Sequence, residues 1–472
     1  MVLSQLCLPS SPSRGVPLTF KRNRGHRRSP LKLPSSVFVS NSYPIWPPPS
    51  ASSDQTQSVA AIIFGDGSES QSRLYPLTKR RSEGALPMAA NYRLIDAVVS
   101  NCINSNINKI FALTQFNSTS LNSHLSKAYS GVGLGGDGIV QVIAAHQSPH
   151  HHHDNGSWFQ GTADAVRKCL WILEEYHPVT EFVVLPGHHL YRMDYQQLVQ
   201  THRNSKADIT IAASTTSIHD PGFGILQLDS QHQVSAIRFK SADVSRIHFA
   251  SSVNRKLSDF SCGELPSMGI YVISKEAMKR LLEEQFPEAK DLAREVIAGA
   301  VAENGMKVQG YAFGGRWEEM RSIGEFYKAN MESIQEEKMG YDFCDRGVPV
   351  YTMPHCLPPT LISEAVITNS LVGDGCIMGR CSIRGSVIGM RTRIGDGVVI
   401  EDSVIIGSDV YQDQEEDEEE EKEAMIPIGI GQQCQIRKAI VDKNARIGNN
   451  VMARFSNNSS RSFFLFINVF VF

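Results

Sequence analysis

The sequence predicts two structural parts, an α/β domain on a mostly parallel sheet and then a parallel β-helix of hexapeptide repeats. Three observations carry this. From about residue 59, short apolar runs ending in glycine loops alternate with stretches of helical spacing. After Pro354, aliphatic residues recur six positions apart with Gly and Asp between them. The chain of 472 residues is 41% hydrophobic and 20% charged, enough for more than one core. It contains no run of about 18 apolar residues such as a membrane-spanning helix needs.

The leader comes first. Residues 1–54 hold a single acidic residue, Asp54, and seven bases: Arg14, Lys21, Arg22, Arg24, Arg27, Arg28 and Lys32. Serine and proline are dense and no apolar h-region is present. This composition reads as an organelle transit peptide rather than a secretory signal; a basic nucleic-acid-binding tail is the alternative. Removing residues 1–53, which hold these seven bases and no acid, takes the formal net charge from -3 to -10. A chain that acidic does not bind nucleic acid through bulk charge.

The α/β domain is expected over 55–345. Ser58–Phe64 followed by Gly65-Asp66-Gly67 reads as a buried strand and a glycine loop. Ile110–Thr114 and Phe182–Gly187 repeat the pattern, and Ala163–Tyr176 has helical spacing. In such a domain, ligands sit at the C-terminal ends of the strands. His146 and His150–His153, before Trp158, read as a solvated loop, with transition-metal binding as the alternative.

The β-helix is expected over 346–454. Ile388, Ile394, Ile400 and Ile406 fall six apart, as do Ile377 and Ile383, Ile430 and Ile436, and Val441 and Ile447. One coil cannot bury its own apolar corners, so coils stack. The acidic run Glu415–Glu421 reads as a solvated loop between coils, placed at 412–423. The apolar end, 455–472, reads as an atypical tail prone to aggregate when exposed, with a last β-helix strand as the alternative. Nine scattered cysteines contain no C-x-x-C pair, so zinc-ribbon and thioredoxin-like chemistry have no support.

Longer motifs then become specific. Arg73-Leu74-Tyr75-Pro76-Leu77-Thr78-Lys79 and Asn91-Tyr92-Arg93-Leu94-Ile95-Asp96 resemble the opening of sugar-nucleotide pyrophosphorylases. Leu113–Phe116, Trp158–Val166, His189–Tyr195, Ser267–Tyr271 and Pro427–Gly431 resemble ADP-glucose pyrophosphorylase, and most closely its plant small subunit. The resemblance covers about 59–454. It implies an α/β nucleotidyltransferase domain (Rossmann-like) followed by a left-handed β-helix. It also implies a chloroplast stromal location and starch biosynthesis, a heterotetramer with large subunits, and Mg²⁺ as cofactor. The substrates would be ATP and glucose 1-phosphate, giving ADP-glucose and pyrophosphate. It gives no reason to expect a nucleic-acid or membrane partner.

Such a reaction needs backbone N–H groups around a triphosphate, cations facing the developing charge, and carboxylates for the metal. By resemblance Gly65, Gly67 and Arg73 belong to the phosphate loop, Gln115, Gln160 and Gly161 hold the nucleotide, and Ser267 contacts the sugar phosphate. The nearest match to the family's E-K-P is Phe239-Lys240-Ser241, which makes Lys240 the candidate second contact.

Other parts depart from the pattern. The loop Gly65–Leu74 is two residues longer than the family's G-G-G-x-G-T-R-L and gains Asp66 and Glu69. Glu83 stands where A-K-P-A-V-P has its lysine. His188 stands where G-D-H-L has its metal-binding aspartate. Glu319 replaces the aspartate of W-E-D-I-G-T, and Arg321 replaces its glycine, bringing bulk into the site. Imidazole is a poor ligand for magnesium, which prefers oxygen. No cysteine matches the small subunit's N-terminal T-C-L-D-P, and the segment carrying an effector-binding lysine is replaced after Met452. The expectation is a small-subunit-like protein that is inactive or severely impaired; an active pyrophosphorylase is the alternative.

Overall fold

The computed structural model describes residues 58–65, 74–132, 138–145, 158–175, 179–216, 222–239, 264–302, 305–335, 340–412, 426–454, 465–467 and 470–471. All of them lie in one compact unit, Pro48–Phe472. The leader, the histidine run 146–153 and most of the acidic segment fall outside the described residues.

The opening strand, Val59–Phe64, is paired in parallel with Lys109–Thr114 on one side and Glu181–Pro186 on the other. Ile139–Ala144 extends the parallel part beyond Lys109–Thr114. The long strand Glu264–Ser274 runs antiparallel between Glu181–Pro186 and Ile209–Ser214, and Val308–Phe313 returns parallel to the latter. Together with Ile225–Leu228 and Val234–Arg238 these make a nine-stranded sheet.

Strand alternation divides the core into two layers. Ala60 and Ile62 face the helix Thr162–Glu175 through Ala163, Val166 and Leu170. Ala61 and Ile63 face the helix Leu94–Asn104 through Val98, Val99 and Cys102. All four strand residues are fully buried, and burying each isoleucine contributes about 1.5–3 kcal/mol. Among the described residues no helix is long and apolar enough to cross a membrane.

Asp96 ties this domain to the segment that leaves it. Its carboxylate lies 2.6 Å from His124 Nε2 and accepts from Tyr129 Oη at 2.5 Å and Thr352 Oγ1 at 2.6 Å. Burial works to raise its pKa, but His124 and these hydroxyls outweigh burial and hold it below the usual carboxylate range.

Beyond residue 360 the chain winds into three parallel sheets of six, five and five short strands. Ile367 pairs with Ile383, and Ile383 with Ile400. Ile400 then pairs with Ile436, so the coil between them carries an insertion that includes the acidic run. Coils stack closely: a Cβ on Gly389 would lie 2.2 Å from the Ile406 carbonyl oxygen. That contact with backbone admits only glycine.

Three expectations change. Ile377 is 39% exposed, while Met378 is buried and in register with Ile394; the six-residue count is out by one there. Ile406 is buried, but it packs with Val387, Val404 and Ile440 against Leu86, Met88 and Phe326 of the α/β domain. Ile405 instead faces the interior of the coil. This side of the β-helix is apolar on both faces because one face docks on the first domain. Finally, Leu465–Ile467 pairs with Ala439–Val441, and Phe470–Val471 with Arg446–Ile447. The end of the chain therefore supplies strands to the β-helix instead of forming a separate tail, since the last coil offers unpaired edges. Arg81 Nη2 bonds Asp442 Oδ1 at 2.9 Å across the junction, with both side chains largely buried. Tyr327 Oη donates to the Asp402 carbonyl at 2.6 Å.

Candidate active site

Three neighbouring parallel strands end at one edge of the sheet, and candidate residues follow each end. Gly65 follows Val59–Phe64, Gln115 follows Lys109–Thr114, and Gly187-His188 follows Glu181–Pro186. Gly187 donates its N–H to the Phe64 carbonyl at 2.9 Å. A Cβ on Gly187 would lie 2.4 Å from that oxygen, so the approach depends on glycine. Gly84 N–H donates to the Gly65 carbonyl, which brings the turn Glu83–Ala85 to the same edge. The antiparallel pairing of His189–Tyr191 with Trp317–Glu319 sets Glu319 opposite His189.

Four side chains from these segments meet. His188 Nδ1 lies 3.9 Å from Glu83 Oε2, and His188 Nε2 lies 3.8 Å from Glu319 Oε1. Both contacts are too long for a hydrogen bond but near enough for strong Coulomb attraction. Arg321 Nη2 lies 2.5 Å from the other oxygen of Glu319, Oε2. All four side chains are 12–19% exposed.

The electrostatics follow from this alternation of acids and bases. Burial opposes ionisation of Glu319, but His188 and Arg321 outweigh it and bring the carboxyl down to about 2. Burial likewise pushes against charge on His188, and the carboxylates Glu319 and Glu83 overcome it and raise its pKa. His189 behaves oppositely: burial first, then the neighbouring His188, press it well below the ordinary histidine value. It is enclosed by Tyr191, Phe223 and Trp317. Trp317 Nε1 donates to its Nδ1 at 3.2 Å, so the proton of the neutral ring sits on Nε2.

His188, His189 and Glu319 each offer a ligand atom within 4.8 Å of the others, the one such group among the described residues. They do not fit magnesium. Two of the three donors are nitrogen, and the single carboxylate is already paired with a guanidinium. The nitrogen of His189 that keeps a lone pair receives the Trp317 N–H, whereas a ligating histidine donates through its second nitrogen.

The remaining candidates have local roles in the fold. The Gln160 backbone N–H donates to Asp164 Oδ2 at 2.9 Å. A Cβ on Gly161 would lie 2.3 Å from the Lys290 carbonyl oxygen, so that position needs glycine. Ser267 is buried in the long antiparallel strand, where its Oγ accepts from Gly269 N–H at 3.2 Å. Gly67, Arg73 and Lys240 lie outside the described residues. The Arg321–Glu319 pair was not anticipated from sequence, where Arg321 counted only as bulk. Its signal was a base two residues from a motif carboxylate within a strand-end segment.

Two family models match the chain: a nucleotidyl transferase over residues 60–336 and a GLGC left-handed parallel β-helix domain over 355–463. Among similar proteins is the inactive glucose-1-phosphate adenylyltransferase small subunit 2, chloroplastic, of Arabidopsis thaliana. It is 58% identical over 399 residues, which is 84% of this chain and 81% of that protein. The glucose-1-phosphate adenylyltransferase small subunit, chloroplastic/amyloplastic, of Triticum aestivum is 46% identical over 403 residues, covering 84% and 83%.

Proposed function

Because the chain belongs to the glucose-1-phosphate adenylyltransferase small-subunit family, we propose that it is a plastid small-subunit-like protein that does not sustain the family reaction. The observation that carries this reading is the row of alternating charge Glu83–His188–Glu319–Arg321. In the family reaction the sugar phosphate attacks the α-phosphorus of ATP, and negative charge builds on the phosphates. Here Glu83 presents a carboxylate toward that edge of the sheet where the family pattern has a lysine. Loss of one contact to the transition state costs about 10²–10³ in rate. Defects in metal binding, charge and loop geometry act on different parts of the reaction, so one repair leaves the others.

The same reading assigns 1–54 to a chloroplast transit peptide, 55–345 to the catalytic-type domain and the chain from 346 on, with the strands Leu465–Ile467 and Phe470–Val471, to the β-helix. The stroma is its location, and large subunits of ADP-glucose pyrophosphorylase are its partners. It shares their heterotetramer as a subunit that assembles without turning over ATP and glucose 1-phosphate. The name of the Arabidopsis relative supports inactivity over the alternative of an active catalytic subunit.

The test is ADP-glucose and pyrophosphate formation by purified protein, alone and with a large subunit, in the presence of Mg²⁺. Turnover is expected to stay at background, also after His188→Asp or Glu83→Lys alone. Wild-type turnover within the common enzyme range of about 1–10³ per second would overturn the proposal.

A further inference from the structure

Both carboxylate oxygens of Glu319 face nitrogen groups. Oε2 meets Arg321 Nη2 at 2.5 Å, and Oε1 faces His188 Nε2 at 3.8 Å. The arginine is held in place from its own backbone. Arg321 N–H donates to Glu325 Oε2 at 2.8 Å, in the first turn of the helix Ile323–Glu332. Room for the guanidinium comes from Gly222, where an added Cβ would lie 3.2 Å from Nη2. A guanidinium keeps its charge at every accessible pH. An ion pair this close, in a site largely shielded from water, is also attracted more strongly than one at an open surface. A divalent ion seeking Glu319 must therefore displace a cation that is covalently part of the chain and already in contact.

We propose that Arg321 is a specificity-determining residue that serves as the built-in cation of this site, holding Glu319 and excluding divalent ions. The inference rests on the reading that the site is inactive, and it adds which residue closes the site to metal. It has a consequence that the histidine substitution alone does not. Restoring an aspartate at position 188 leaves Glu319 engaged, so the ion site returns only when Arg321 is removed as well. The competing arrangement, a transition-metal site on His188, His189 and Glu319, is disfavoured by the Trp317 N–H that faces His189 Nδ1.

Binding of Mn²⁺, read by the loss of its free-ion electron paramagnetic resonance signal, tests this on the full chain without reference to turnover. Wild type, His188→Asp, Arg321→Gly and the double variant are compared, with thermal melting in chelator as the control for folding. The double variant is expected to bind Mn²⁺ on the order of 10- to 100-fold more tightly than His188→Asp, and wild type to show no site. His188→Asp combined with Arg321→Gln, which keeps bulk and removes charge, is expected to behave likewise if the glycine variant melts early. Equal Mn²⁺ binding by His188→Asp and the double variants would overturn the role of Arg321, as would Mn²⁺ binding by wild type. Stoichiometric Zn²⁺ binding by wild type that His188→Ala abolishes would also overturn it, in favour of a transition-metal site. These outcomes are separate from turnover: an active wild type that binds no Mn²⁺ in the absence of nucleotide would sink the inactive reading and leave the Arg321 assignment standing.

Discussion

His188→Asp, introduced alone, sets a third carboxylate between Glu83 and Glu319 and removes the imidazole that lies 3.9 and 3.8 Å from them. Like charges about 4 Å apart repel by about 4 kcal/mol at an effective dielectric of 20. The shorter aspartate retreats and Arg321 already compensates Glu319, so the net destabilisation expected is on the order of 2–4 kcal/mol. Its pH dependence has a definite shape. The wild-type His188 pKa is raised by Glu319 and Glu83 against burial. Its stabilisation is therefore complete below the unfolded value of about 6.5 and is lost as pH rises through the folded value. In the variant, the crowded carboxyls have raised folded pKa values, so their penalty fades as pH falls toward about 4. The gap between wild type and variant should be widest near pH 6 and narrow on both sides. Urea unfolding across this range, followed by tryptophan fluorescence and circular dichroism without added metal, measures it. Glu83→Gln in the His188→Asp background should recover about half of the loss. A His188→Asp midpoint equal to wild type near pH 6, or no recovery on removing Glu83, would refute the electrostatic account of the site.

Two further outcomes follow from the packing of the domains. Asp442→Ala leaves the Arg81 guanidinium buried without its partner at 2.9 Å. It should cost about 3–5 kcal/mol and speed protease cleavage between residues 345 and 360; an unchanged unfolding midpoint would contradict it. Ending the chain after Arg454 removes the strands paired with Ala439–Val441 and Arg446–Ile447. Open edges of this kind recruit other chains, so light scattering on heating should rise at a lower temperature than for the full chain. Equal onset temperatures would show that those pairings do not protect the edge.

The sequence by itself determined the order of the two parts and most of their elements, because local hydrophobic period reports which face of a strand or coil is buried. Val59–Phe64, Thr162–Glu175 and Glu181–Pro186 lie within a residue or so of where spacing placed them. It also singled out Glu83, His188 and Glu319, because parts of the motifs around them are kept, such as Gly187 with His189-Leu190 and Trp317-Glu318. Tertiary structure decided what period does not contain. Ile406 turns out of the coil because another domain offers it an apolar surface, and Met378 displaces Ile377 from the core because stacking register, not counting, selects the inward position. The last strands join the β-helix because its open coil supplies hydrogen-bond partners. The row of charges depended most on the fold. Glu83, His188 and Glu319 are far apart in the chain and meet only where parallel strands end side by side, and Arg321 became a cation for Glu319 only once the antiparallel strand pair and Gly222 had set its place. Charge acts through distance in space, and the sequence holds only distance along the chain.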